Sequence, residues 1–137
     1  MRLRELSAAE LSHRLQGDGL VLGFGPFLIR IRSPFNSVMQ GLACLYGEYP
    51  LSDATVFSDF DVTVTRTTGL RRWWRAQAVF RFDGSEPFAP LPATHALPLL
   101  EWSMNWCISM HVQQYLLLHA AVVERGGCAV VLAAPPG

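Results

Sequence analysis

Phe60-Asp61-Val62-Thr63-Val64-Thr65-Arg66-Thr67 alternates apolar and polar side chains almost one for one, and Ala76 to Phe82 does so again beyond a connection containing Gly69. A period of two places alternate residues on opposite faces of an extended chain, so each stretch predicts a strand with one buried and one wet face. Two such strands joined by a short connection pair antiparallel. Upstream, Leu20 to Phe24 and Phe27 to Arg32 flank Gly25-Pro26, and Ile29 and Ile31 alternate with Arg30 and Arg32. That predicts a second hairpin, again with one wet face. Downstream, His119 to Glu124 and Cys128 to Ala133 are apolar, strand-length runs around Arg125-Gly126-Gly127, a third hairpin on a glycine turn.

Helices fill the gaps. Ser7-Ala8-Ala9-Glu10 is a capping-box pattern, followed by Leu11 and Leu15 at helical spacing and ended near Gly17. Ser33-Pro34 offers a cap and a first-turn proline, after which Val38, Leu42 and Leu45 share one helical face until Gly47. Past the prolines at 87, 90, 92 and 98, a helical pattern runs from about Leu99 to Leu117 with Trp102, Trp106 and Met110 four apart. The expected fold is therefore α+β: a mixed, mainly antiparallel sheet built from the six strand segments, with about three helices, the longest packing its tryptophan stripe on the sheet.

Half of the 137 residues are apolar and 16% are charged, which suits one ordinary core and is too short for two full domains. Eleven basic and eleven acidic residues cancel, so no overall field draws the chain to nucleic acid or to an anionic membrane. The apolar runs around Tyr115 to Val123 and Cys128 to Ala134 fall short of the roughly 20 residues of a membrane span. Cys44, Cys107 and Cys128 are scattered, without a C-x-x-C pair, and no apolar leader follows Met1, which together predict a reducing, cytoplasmic location.

The chemistry-bearing motif lies at the C-terminal end. A phosphate-binding loop takes the form strand, [G/A]-x-x-x-x-G-K-[S/T], helix, because the tight loop turns its backbone N–H groups onto phosphate oxygens. Ala129-Val130-Val131-Leu132 runs straight into Ala134-Pro135-Pro136-Gly137, which fills the first positions of that pattern. The same residues also read as a strand meeting a Pro-Pro-Gly turn.

Three longer stretches bear on that choice: Gly69-Leu70-Arg71-Arg72-Trp73-Trp74-Arg75, Leu97-Pro98-Leu99-Leu100-Glu101-Trp102-Ser103-Met104-Asn105-Trp106-Cys107, and Leu118-His119-Ala120-Ala121-Val122-Val123-Glu124-Arg125-Gly126-Gly127. Together they resemble the HPr-kinase-related kinase A family. The resemblance implies residues 1–117 as an N-terminal α+β region and 118–137 as the start of a P-loop kinase core like that of HPr kinase/phosphorylase. It further implies ATP and magnesium as cofactors of the full-length relative, with an unidentified protein or peptide as phosphoryl acceptor. The present residues carry only Ala134, Pro135, Pro136 and Gly137 of the nucleotide cradle, without the loop lysine or the Ser/Thr that holds magnesium, so the chain as it stands reads as catalytically incomplete and is expected to take no cofactor itself.

The alternative is a non-enzymatic module that binds a protein or peptide. Arg71, Arg72 and Arg75 around Trp73 and Trp74 can grip an acidic partner and stack on it, or form a solvated turn. His119 before the last hairpin reads as structural rather than catalytic. His13, His95 and His111 are scattered, and no metal site is indicated. Asp53, Asp59 and Asp61 show no paired-carboxylate arrangement, with Asp61 expected on the wet face of its strand.

Overall fold

The structure, a computed structural model, describes residues 1–68 and 76–134. In chain order the elements are α1 (Ala8–Gln16), β1 (Leu20–Phe24), β2 (Phe27–Arg32), α2 (Asn36–Leu45), β3 (Leu51–Ser52), β4 (Phe60–Arg66), β5 (Gln77–Phe82), β6 (Leu91–Pro92), α3 (Ala96–His111), β7 (Ala120–Arg125) and β8 (Cys128–Ala133). The chain divides into two compact units, Met1–Trp106 and Cys107–Gly137.

The first unit is a six-stranded sheet in the order β3-β1-β2-β4-β5-β6. Only β2 and β4 run parallel; every other pair is antiparallel. The expected α+β class with a mixed, mainly antiparallel sheet is what the structure has. Strand registers align Leu22, Ile29 and Phe60 in one row and Leu20, Ile31, Val62 and Phe82 in the next, so the apolar half of each alternation falls on one face. Leu20, Leu22, Ile29, Ile31, Val62, Val64 and Phe80 are buried there. The opposite face carries Arg30, Arg32, Asp61, Thr63 and Arg81, as the sequence predicts for a wet side.

Local chemistry starts α1 as read: Ser7 Oγ accepts from Glu10 N at 3.2 Å, while the Glu10 carboxylate accepts from Ser7 N at 2.9 Å and Ser7 Oγ at 2.6 Å. These bonds hold the Glu10 carboxyl below its usual range. Between β1 and β2, Gly25 takes φ +59°, and Pro26 fixes its own φ negative, so the two residues close the hairpin tightly.

Four expectations change. The predicted cap on α2 is displaced: the helix begins at Asn36 with Phe35 at its N-cap, and Ser33 Oγ accepts instead from Phe35 N at 3.2 Å. Leu45, expected on its buried face, is exposed. The long helix begins earlier and ends earlier than predicted, running on from a 3-10 turn at Ala93–His95 and stopping at His111. Its buried face is Ala96, Leu99, Leu100, Ser103, Met104 and Cys107, one position round from the tryptophan stripe. Trp106 still packs edge-on against Phe80 and Phe82 of the sheet, whereas Trp102 and Met110 are exposed by 55% and 60%. Aromatic bulk at a four-residue spacing marked a flank of the helix, and smaller residues take the close contact.

The fourth change concerns the sheet. The last hairpin, β7 with β8, forms its own two-stranded sheet, and the six-stranded sheet is completed by the two-residue strands β3 and β6, which carry too few residues to show a period. Among the described residues no helix is long and apolar enough to cross a membrane.

Candidate functional site

In the second unit, β7 and β8 pair in full register from Ala120 with Ala133 to Arg125 with Cys128. Gly126 and Gly127 turn the chain at φ +62° and +81°, conformations that disfavour any side chain, and the Glu124 carboxylate accepts from Gly127 N at 2.7 Å. Ala134 N donates to His119 O at 3.1 Å, so the pairing extends one residue past β8. That bond places Ala134 directly at the end of β8. Pro135, Pro136 and Gly137 lie outside the described residues, as do Arg71, Arg72, Trp73, Trp74 and Arg75. His119 contributes a backbone carbonyl to the hairpin, and its residue is exposed.

β8 shares with β1, Leu20-Val21-Leu22-Gly23-Phe24, a run apolar on both faces, but β1 is buried and β8 is exposed. Cys128-Ala129-Val130-Val131-Leu132-Ala133 is apolar on both faces, and Val130, Val131 and Leu132 are exposed. A strand of this composition is suited to a sheet covered on both sides, as parallel sheets are.

The wet face of the first unit holds a constellation that the sequence analysis treated only as solvated charge. Arg30 Nη1 donates to Asp18 O at 3.2 Å and to Ala54 O at 2.7 Å, and its Nη2 donates to Val56 O at 2.8 Å. Arg32 Nη2 donates to Asp18 O at 3.2 Å and its Nη1 to the Asp61 carboxylate, which also lies 3.6 Å from Arg30 Nε. Room for both stems comes from Gly19, at φ +97°, where a Cβ would stand 2.7 Å from Arg30 Cγ and 3.2 Å from Arg32 Cγ. The two guanidinium groups border an open cavity of about 500 Å3 lined by Gly17, Asp18, Arg30, Arg32, Ala54 and Thr55. The one trace of this in the sequence is the Arg-x-Arg alternation in β2; its carbonyl partners come from two distant turns.

Elsewhere, Tyr46 Oη donates to the Glu101 carboxylate at 3.0 Å, tying the end of α2 to α3, and burial with that bond pushes the phenol well above its ordinary range. Asp53 accepts from Thr55 N and Oγ1, both at 2.9 Å, shaping the turn that lines the cavity, and Asp59 accepts from Leu28 N at 2.7 Å at the start of β2. Among the described residues no three His, Cys, Asp or Glu side chains gather as a metal ion would require. Compared with known protein families, curated proteins and solved structures, the chain matches none.

Proposed function

We propose that this chain forms the front part of an ATP-dependent P-loop protein kinase of the HPr-kinase-related kind, with a protein or peptide as phosphoryl acceptor. The observation that carries the reading is β8: a strand apolar on both faces that delivers Ala134 into Ala134-Pro135-Pro136-Gly137. Loops of this type follow buried strands, because the strand fixes the position from which successive N–H groups converge on phosphate. The three stretches that resemble the kinase family support the same reading, and two of them flank or contain α3 and the β7–β8 hairpin.

On this reading the 137 residues alone bind ATP·Mg poorly. Pro135 and Pro136 have no N–H to offer, and the lysine, the magnesium-holding hydroxyl and the following helix are not among these residues. Each missing charge-assisted bond costs about 1.5–3 kcal/mol, enough in sum to move a micromolar site to millimolar or weaker. Two measurements test the proposal. Sequencing past the Gly137 codon is expected to show an open frame that continues x-Gly-Lys-Ser/Thr, and calorimetric titration of the 137-residue polypeptide with ATP and magnesium is expected to show no saturable micromolar binding. A stop codon, or a frame without that motif, overturns the kinase reading; tight ATP binding by these residues overturns the role given to the loop.

A further inference from the structure

We propose that the cavity bordered by Arg30 and Arg32 is a binding site for the phosphate group of a phosphorylated small molecule. The site lies in the first unit and is independent of the loop beyond β8.

Its cations are fixed before any ligand arrives. Arg30 is only 12% exposed in its side chain and is held by three carbonyl oxygens, at Asp18, Ala54 and Val56. Arg32, two residues along on the same face of β2, is held by Asp18 O and by Asp61. A guanidinium has five N–H donors. Arg30 uses three in hydrogen bonds, with its Nε 3.6 Å from the Asp61 carboxylate, and Arg32 two, and both residues line the cavity. Carbonyl partners orient a guanidinium without neutralising it, so of the groups bonded to the pair only Asp61 offsets their two charges. Asp53, beside the lining residues Ala54 and Thr55, is bonded to Thr55 and senses Arg14, and Asp18, with a carboxylate of its own, lines the cavity. Asp18 meets both arginines through its carbonyl.

The chemistry this favours is an oxyanion with more than one oxygen and more than one charge, since two planar forks can share its oxygens while Asp61 gives way. Asp61 is 49% exposed in its side chain, so it can swing to water at little cost. The open cavity, of about 500 Å3, has more room than a bare phosphate fills. The cavity is open, so the phosphate end anchors while the remainder of the ligand faces solvent.

The test is an amide NMR titration of the whole chain with inorganic phosphate and, separately, with acetate at matched ionic strength. Phosphate is expected to give saturable shifts concentrated at Gly17, Asp18, Ala54 and Thr55, and acetate to bind at least several-fold more weakly. Arg32→Gln is expected to weaken phosphate binding about tenfold or more. Asp61→Asn is the sharper variant, because it removes the competing carboxylate: phosphate affinity is expected to rise several-fold, which a merely structural Asp61 would not produce. Each variant is first matched to the parent amide spectrum; should Arg32→Gln not fold, the Asp61→Asn gain decides alone. Diffuse, unsaturable shifts, equal binding of acetate, or weaker phosphate binding in a folded Asp61→Asn chain overturns the proposal.

Discussion

Strands β4 and β5 of the first unit and strand β8 of the second are similar in length and rich in valine or phenylalanine, yet Val62, Val64 and Phe80 are buried while Val130, Val131 and Leu132 are exposed. The difference lies in cover rather than hydrophobicity, since β4 and β5 sit within a six-stranded sheet and β8, among the described residues, pairs only with β7. Alternation in β4 tells the strand which face goes inward, and β5 buries Ala78, Val79 and Phe80 in succession within the six-stranded sheet. A continuous apolar run carries no such instruction and needs a layer on each side, which β1 has within the first unit and β8, exposed among the described residues, lacks. Folding strength should therefore be concentrated in Met1–Trp106.

The largest effect is expected where the alternating strands meet α3. Phe80 is fully buried and packs against Phe88 and Trp106, so Phe80→Ala should lose about 3–5 kcal/mol of unfolding free energy in chemical denaturation. Trp106→Ala should lose less, because the indole is only partly buried. A loss below about 1 kcal/mol at Phe80 would place the core elsewhere and break the contrast between the units.

Gly41 brings α2 close against α3, since a Cβ there would clash with Leu97 Cδ2 and stand 2.9 Å from Leu97 Cγ. Gly41→Ala gains about 1 kcal/mol of helix propensity but overpacks this contact, for a net expected loss of about 1–2 kcal/mol. A double-mutant cycle with Leu97→Ala should show the two positions coupled; a Gly41→Ala chain more stable than the parent would mean that the helices have slack.

Cys107 separates the thiols. Burial pushes its thiol up to about 12, whereas Cys44 and Cys128 are exposed. The native state thus holds its proton at pH values where the unfolded thiol has lost it, and stability contributed by this group falls as pH rises from about 9 toward 12, with no effect at neutral pH. Iodoacetamide at pH 8 should label Cys44 and Cys128 in the folded chain and Cys107 only after denaturation; rapid native labelling of Cys107 would contradict its burial.

The smallest effect is expected in the hairpin. Val131→Thr alters an exposed strand position and should shift unfolding free energy by no more than about 0.5 kcal/mol. A loss above about 2 kcal/mol would show that β8 is already covered and would remove the contrast from which these predictions come.

Pairing partners, turn positions and the wet face were legible in the sequence because each depends on neighbours a few residues away: Ile29 and Ile31 against Arg30 and Arg32 in β2, Gly25-Pro26 between β1 and β2, and the Ser7–Glu10 capping box. The kinase-like reading and the loop reading at Ala134 rest on the sequence alone. What the sequence misassigned was the face of α3, where tryptophan size outweighed the actual geometry of close packing, and the edge strands β3 and β6, which are too short to carry a period. The arginine-lined cavity was decided by tertiary structure alone. Arg30 and Arg32 become a fixed pair only because carbonyls from Asp18, Ala54 and Val56, up to 26 residues away, are brought to them, and because Gly19 leaves space for their stems. Local periodicity says which way a side chain points; the partners that hold it there come from parts of the chain that periodicity does not connect.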